Sequence, residues 1–318
     1  MVDFRYHLVS IIAVFLALAV GIVVGTAALN GPIQDKLNDN ISRLTSDKRA
    51  LEADLRGLQG ELTAADAFAT AFGPQLVDGA LEDQRVLFVT TPQTPTDLAE
   101  RLRPLLSDAG ATVTGSVEVR PTLADPQQRR LLEDLVAQVL PAGVELPDGD
   151  PVERAAAELA AALTHGRQDP VDRGEAQAVV SAFQEAGLIG FSADPDTKDT
   201  IASATVVVLL ASPGLGREPG TAEQQQLEAL LTVAAAFDTR SRGAVLAGPA
   251  QSAVDGGLIR ALRTSSTLAR GVSSVDNADR GPGRIAVVLA VAEQVEKGVG
   301  QYGAGPGASA PLPAAATS

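Results

Sequence analysis

Side chains able to ligate a soft metal or act as thiol nucleophiles are nearly absent from this chain. It has no cysteine, its one methionine is Met1, and its only histidines are His7 and His165. A soft-metal site needs several sulfur or imidazole ligands converging on one point. A single copy of this chain cannot assemble one, and disulfides and thiolate chemistry are excluded with it. Hard-cation chemistry has one candidate, the carboxylates of Asp194, Asp196 and Asp199. Lys198 stands where a calcium loop needs an oxygen ligand, so a solvated turn is the expected role. A second polar cluster, Asp276, Asn277 and Asp279 in Val275-Asp276-Asn277-Ala278-Asp279-Arg280-Gly281, precedes a predicted helix and serves either to contact a partner or to cap that helix.

Phosphate chemistry has one candidate loop, Ser212-Pro213-Gly214-Leu215-Gly216, which follows an apolar strand-like run. It lacks the third glycine of the dinucleotide fingerprint: Pro219 stands there, Gly220 comes one place late, and the next helix starts too far downstream for its N-terminus to hold a pyrophosphate. No GxxxxGK[ST], GxSxG or HExxH pattern occurs. The expectation is a protein without catalytic residues and without an evident cofactor.

The elements that would position these residues begin with a long apolar run. Leu8 to Leu29 carries no charge and as a helix would extend about 33 Å, enough for a bilayer core of about 30 Å. It is apolar all round, unlike a surface helix of a soluble domain, and longer than the apolar core of a cleaved signal peptide. Residues 1–30 are therefore read as an uncleaved signal anchor in the cell membrane. Arg5 favours a cytoplasmic N-terminus, although Lys36, Arg43, Lys48 and Arg49 on the other flank weaken the asymmetry. Because large C-terminal domains translocate regardless of such charges, residues 30–318 are expected outside the cytoplasm.

Gly21 and Gly25 form a GxxxG within the span, a spacing that lets a second helix backbone approach. Asn30-Gly31-Pro32 reads as a hinge or cap. Beyond it Leu37, Leu44, Leu51 and Leu58 recur every seven residues, with Ile41, Lys48, Leu55 and Leu62 four places after each. Leucine at d and one polar residue at an a position favour two parallel strands. Residues 31–72 are accordingly read as a parallel coiled coil and the chain as its own partner, beside membrane lipid and a cell-envelope protein.

From residue 84 the pattern changes. Apolar, β-branched runs at Arg85 to Thr91, Ala111 to Arg120, Leu188 to Phe191, Ala204 to Ala211 and Gly243 to Gly248 read as strands. Amphipathic stretches at 95–109, 126–140, 152–165, 173–186, 221–237 and 283–297 read as helices. Continuous apolar strands alternating with helices indicate a mostly parallel sheet covered on both faces. The fold class is thus α/β: a transmembrane helix and coiled coil followed by a doubly wound, Rossmann-like domain over 84–300, with the helices of 126–187 as an insertion or cap. The Gly/Ala/Pro/Ser-rich stretch 303–318 is expected to be disordered.

Composition supports a sizeable core, with 45% of the 318 residues hydrophobic and only 3% aromatic. The net charge of −14 repels phosphates, so nucleic acid is not an expected partner.

The opening from Arg5-Tyr6-His7-Leu8-Val9-Ser10 through Leu18-Ala19-Val20-Gly21 resembles that of the actinobacterial copper transporter family, the copper transport protein B-like proteins. Ser274-Val275-Asp276-Asn277-Ala278-Asp279 and Gly298-Val299-Gly300-Gln301-Tyr302-Gly303 look like that family's C-terminal region. The resemblance spans nearly the whole chain. It implies a cell-envelope protein of copper efflux and copper homeostasis, channel-forming in the outer membrane for some members, with copper as the transported ion. Other relatives are associated with envelope assembly and daughter-cell separation, which suggests a second reading as an anchored scaffold for such a partner. A lone apolar helix cannot enclose a conduit, and copper handling would require oligomers or a partner that supplies ligands.

Overall fold

The structure, a computed structural model, describes residues 4–91, 93–195, 197 and 201–314, with residues 26–35 described by their backbone alone. The chain divides into two compact units, Met1–Ala64 and Ala65–Ser318.

Helix α1 (Phe4–Val77) runs as one element through the apolar span and the heptad region. Its backbone stays helical at Asn30-Gly31-Pro32, where a hinge or cap is expected from sequence. Its last turns belong to the second unit, where Ala69 and Val77 are buried.

Among the described residues, that second unit is built on seven strands: β1 (Arg85–Thr90), β2 (Thr112–Val119), β3 (Ile189–Ala193), β4 (Val206–Leu210), β5 (Ala244–Ala247), β6 (Ser273–Val275) and β7 (Gln301–Tyr302). They lie in the order β3-β2-β1-β4-β5-β6-β7. Every pairing is parallel except β2 with β3, which is antiparallel. The order reverses between β1 and β4, as in doubly wound folds, so the expected mostly parallel sheet is what the chain forms.

Alternation along the strands divides the core in two. Leu87 and Val89, Val117 and Val119, and Val207 and Leu209 face one helical layer. Val86 and Phe88, and Val206, Val208 and Leu210, face the other. A strand turns successive side chains to opposite faces, which is why the central strands are apolar at every position rather than at every second one. The first layer comprises α3 (Arg129–Val139), α4 (Pro151–Leu163), α5 (Arg173–Glu185), α6 (Thr221–Arg240) and α7 (Leu258–Thr264). The second comprises α2 (Thr96–Asp108), α8 (Gly281–Val295) and the end of α1.

Two expectations are corrected here. The helices within 126–187 are no separate cap: Leu132, Leu159, Val180 and Phe183 pack into the same core as the sheet. The stretch from Gly303 to Pro313 is also not a disordered tail. Gly303 N–H donates to the Ala310 carbonyl at 3.0 Å, Ser309 N–H to that of Gln301 at 2.7 Å, and Ala310 bridges Tyr302. Its small residues serve close packing rather than flexibility.

Candidate functional site

The first candidate is the exposed face of α1. Phe4–Gly25 has a mean hydropathy of 2.9 and none of it is buried within the chain. Side chains added at Gly21 and Gly25 would meet nothing within 4 Å, so the GxxxG strip is open to an approaching backbone. Farther along, Leu37, Ile41, Leu44, Leu51, Leu55, Leu58 and Leu62 are between 46% and 68% exposed. Lys48 projects among them, its Nζ 3.5 Å from Glu52 Oε1. Unit 1 therefore satisfies none of its apolar seam internally, a condition that water penalises by roughly 25 cal/mol per Å² of apolar surface.

The polar loop after β6 makes the second candidate. Asp276 is fully buried, and its carboxylate accepts from Arg263 Nη1 at 2.6 Å and from the backbone N–H groups of Ala304 and Gly305, each at 2.9 Å. Arg263 is equally enclosed and also donates to Tyr302 O at 2.6 Å, Ser274 Oγ at 2.9 Å and Pro306 O at 3.0 Å. A buried ion pair is tolerable only when its remaining donors and acceptors are also met. Here they are met by the late segment 302–306, so Asp276 works inside the domain. Gly303 has φ +123°, and a Cβ on it would lie 2.2 Å from Asp276 Oδ1, so only glycine fits.

Asn277 and Asp279 sit at the start of α8. Their Oδ1 atoms are buried without a hydrogen-bond partner among the described residues, and Asp279 Oδ2 lies 3.6 Å from Arg280 Nε. The cap of α8 comes from elsewhere: Asp66, on the last turns of α1, accepts from Gly281 N–H at 2.6 Å, and Arg280 Nη1 approaches its other oxygen at 3.4 Å. Gly281 lets the helices meet, since a Cβ there would lie 2.6 Å from Ala69 Cβ. Of the capping and partner-contact roles open to this loop, α8 capping thus falls to Asp66. Sequence reasoning missed Asp66 and Arg263 because both partners lie far away in the chain.

The third candidate is the crevice at the carboxyl ends of β1 and β4, the usual ligand position in such sheets. Thr94 bridges it, donating from Oγ1 to Leu210 O at 2.8 Å while accepting from Thr91 N–H at 3.0 Å. The glycine-rich loop folds against its neighbours, with Gly214 N–H donating to Gln251 O at 2.8 Å and Gly216 N–H to Asp255 O at 2.9 Å. Those amides are therefore turned to the protein itself.

Asp194 pairs with Arg103, and Asp196 and Asp199 lie outside the described residues. His165 Nδ1 is 2.8 Å from Ser203 Oγ, and burial, aided by Arg85, holds its imidazole below the usual histidine range. Among the described residues no group of three or more histidines, aspartates or glutamates is arranged to hold a metal ion.

Comparison with known proteins gives a single result. The family model described as copper transport outer membrane protein, MctB, matches residues 1–313. The copper transporter MctB of Mycobacterium tuberculosis is 30% identical over 316 residues, covering 97% of this chain and 98% of the relative. The protein of the same name from Mycobacterium bovis is equally similar. That of Mycobacterium leprae is 28% identical over the same length and coverage.

Proposed function

The chain belongs to the MctB family of copper transport outer membrane proteins, and from that premise we propose that it serves copper transport and copper homeostasis in the cell envelope as a membrane-anchored homodimer. The observation that carries this reading is the extent of the match. Residues 1–313 include the apolar span, the heptad stalk and the α/β unit, so the shared function falls to the whole assembly rather than to one module.

Copper is the cargo, and the residues set limits on how this chain meets it. With no cysteine and two histidines, a copy cannot surround a soft ion alone. The proposal therefore places copper contact in an oligomer or on a partner, with this protein as a non-catalytic component. Phe4–Gly25 supports a single-pass anchor, since its 22 residues span about 33 Å as a helix. Arg5 on its N-terminal flank supports an extracytoplasmic α/β unit. In this naturally cysteine-free chain, Asp148→Cys should react with a membrane-impermeant maleimide in intact cells; labelling only after lysis would reverse the topology.

The proposal is tested by deleting the gene and measuring cell-associated copper and growth in copper. Accumulation and sensitivity should rise, and the full-length chain should restore both while a chain lacking residues 4–25 should not. Unchanged copper handling would refute it. A second reading, an anchored scaffold for an envelope-assembly or division partner, is favoured by the single span, which cannot by itself enclose a conduit. Crosslinking in membranes would then capture one stoichiometric envelope protein; recovery of the chain with itself alone would count against it.

A further inference from the structure

Helices α4 and α6 lie side by side in the first layer, and a groove of about 680 Å³ opens along them. Its walls are apolar: Ala157 on α4, Leu231, Ala235 and Ala236 on α6, Val144 on the loop before α4, and Leu268. Its charges are segregated. Glu228 and Arg240 both line the groove from α6, and their separation of twelve residues places them about 18 Å apart along the helix. Glu153, in the first turn of α4, joins Glu228 at the acidic end; the α4 cap Asp150, which borders an adjoining cavity with Glu228, is already paired with Arg129 at 3.4 Å. Glu145 adds a further carboxylate to the lining.

At the other end Arg240 forms no ion pair among the described residues. Arg240 donates from Nη1 to Gln168 Oε1 and from Nη2 to Asp169 O at 3.1 Å, both neutral acceptors. Its Nε is buried with no partner among the described residues, and burial, with no carboxylate opposing it, lowers its pKa. A partly desolvated guanidinium without a counter-ion is an anion acceptor, best matched by a carboxylate.

We propose that this groove binds a peptide segment in extended form, apolar in its middle, with a basic side chain against Glu153 and Glu228 and a carboxylate against Arg240. An 18 Å span accommodates about five or six extended residues. A ligand of that kind answers the three features together: an apolar floor, an acidic end and an unpaired guanidinium. The site lies in the α/β unit, and the proposal does not rest on the copper reading.

The test is calorimetric titration of the full chain in lipid nanodiscs with acetyl-Lys-Leu-Val-Ala-Leu-Leu bearing a free C-terminal carboxylate, with empty nanodiscs as the blank. The peptide should bind, and amidating its C-terminus should weaken binding about tenfold. Arg240→Gln should weaken the free-acid peptide by the same factor and leave the amide unaffected, while Arg240→Lys should keep the preference for the acid. Replacing the peptide lysine with norleucine should likewise weaken binding to the natural chain but not to Glu228→Gln. Ala236→Trp, which fills the groove, should abolish binding with the helical circular dichroism unchanged. Absence of binding above the blank, or binding indifferent to the amide and to Arg240→Gln, overturns the proposal. Sensitivity to the carboxylate but not to the lysine also overturns it and identifies the groove with an anionic amphiphile instead.

Discussion

Two buried carboxyl groups of the α/β unit stand in opposite circumstances, and the contrast decides what each does to stability. Asp276 has a cation and two backbone amides within hydrogen-bond distance, whereas Glu158 on α4 is fully buried with neither oxygen partnered among the described residues. Replacing Asp276 by Ala would leave Arg263 enclosed without its counter-ion, at a cost of about 3–5 kcal/mol. Urea unfolding of the full chain in detergent checks this, and an unchanged midpoint would refute it. Burial pushes the Glu158 carboxyl up to about 8, with Arg154 opposing. A raised acid pKa means the folded state holds its proton after the unfolded state has lost it. Stability therefore falls as pH climbs from about 4.5 to about 8 and levels off beyond. At 1.36 kcal/mol per unit the loss is on the order of 5 kcal/mol. Glu158→Gln should remove this slope, as unfolding at pH 4.5 and pH 8.5 will show; equal slopes in both proteins would refute the assignment. Neither circumstance was legible in the sequence, where Glu158 looks like an ordinary solvent-facing residue of an amphipathic helix and Asp276 like a partner contact or a helix cap.

At the scale of single elements, legibility followed periodicity. The strands of the sheet centre announce themselves because both faces are covered, and β1 and β4 lie within a residue or two of their expected limits. Helices α3 to α6 follow from their apolar stripes, and in the structure α4 and α5 are capped by Asp150 and Asp172, whose side chains accept from the first-turn amides. Elements without a period were not readable. Strand β6 is Ser-Ser-Val, β7 is two residues long, and α7 has only seven. Their existence depends on neighbours: Ser273 Oγ accepts from Gln294 Nε2 and Gly300 N–H, which gives a polar strand its place in the core. The heptads of α1 are legible as a pattern, and the assembly they specify can be tested directly. In the cysteine-free chain, Leu51→Cys at a d position should form an interchain disulfide under mild oxidation, because d residues of parallel strands face one another. Ala53→Cys, on the outer side, should not. Equal crosslinking at both positions, or at neither, would argue against a parallel two-stranded stalk.

For the molecule as a whole, the class of fold was readable while the site was not. A mostly parallel sheet clothed on both faces follows from strand composition and alternation with helices, and the structure supplies that sheet. The position where such sheets usually bind nucleotides is instead laced by Thr94 and by the folding of the 212–216 loop onto residues 251–255. No local pattern discloses that, since Thr94 reaches Leu210, 116 residues on, and the 212–216 loop reaches residues well outside any local window. Deleting everything after Gly300 should remove β7 and four of the acceptors and donors around the Arg263–Asp276 pair. The truncated chain is expected to unfold in less urea by more than the Asp276→Ala variant does, and a midpoint matching the full chain would refute the role given to this segment. The same arrangement bears on the order of events at biogenesis. The Asp276 carboxylate takes its amides from residues 28 and 29 places later, so the α/β unit of a nascent chain stays incomplete until residues 304 and 305 are free. Folding of the unit is thus held back without a separate device: its sheet cannot gain β7 before residues 301 and 302 have been made.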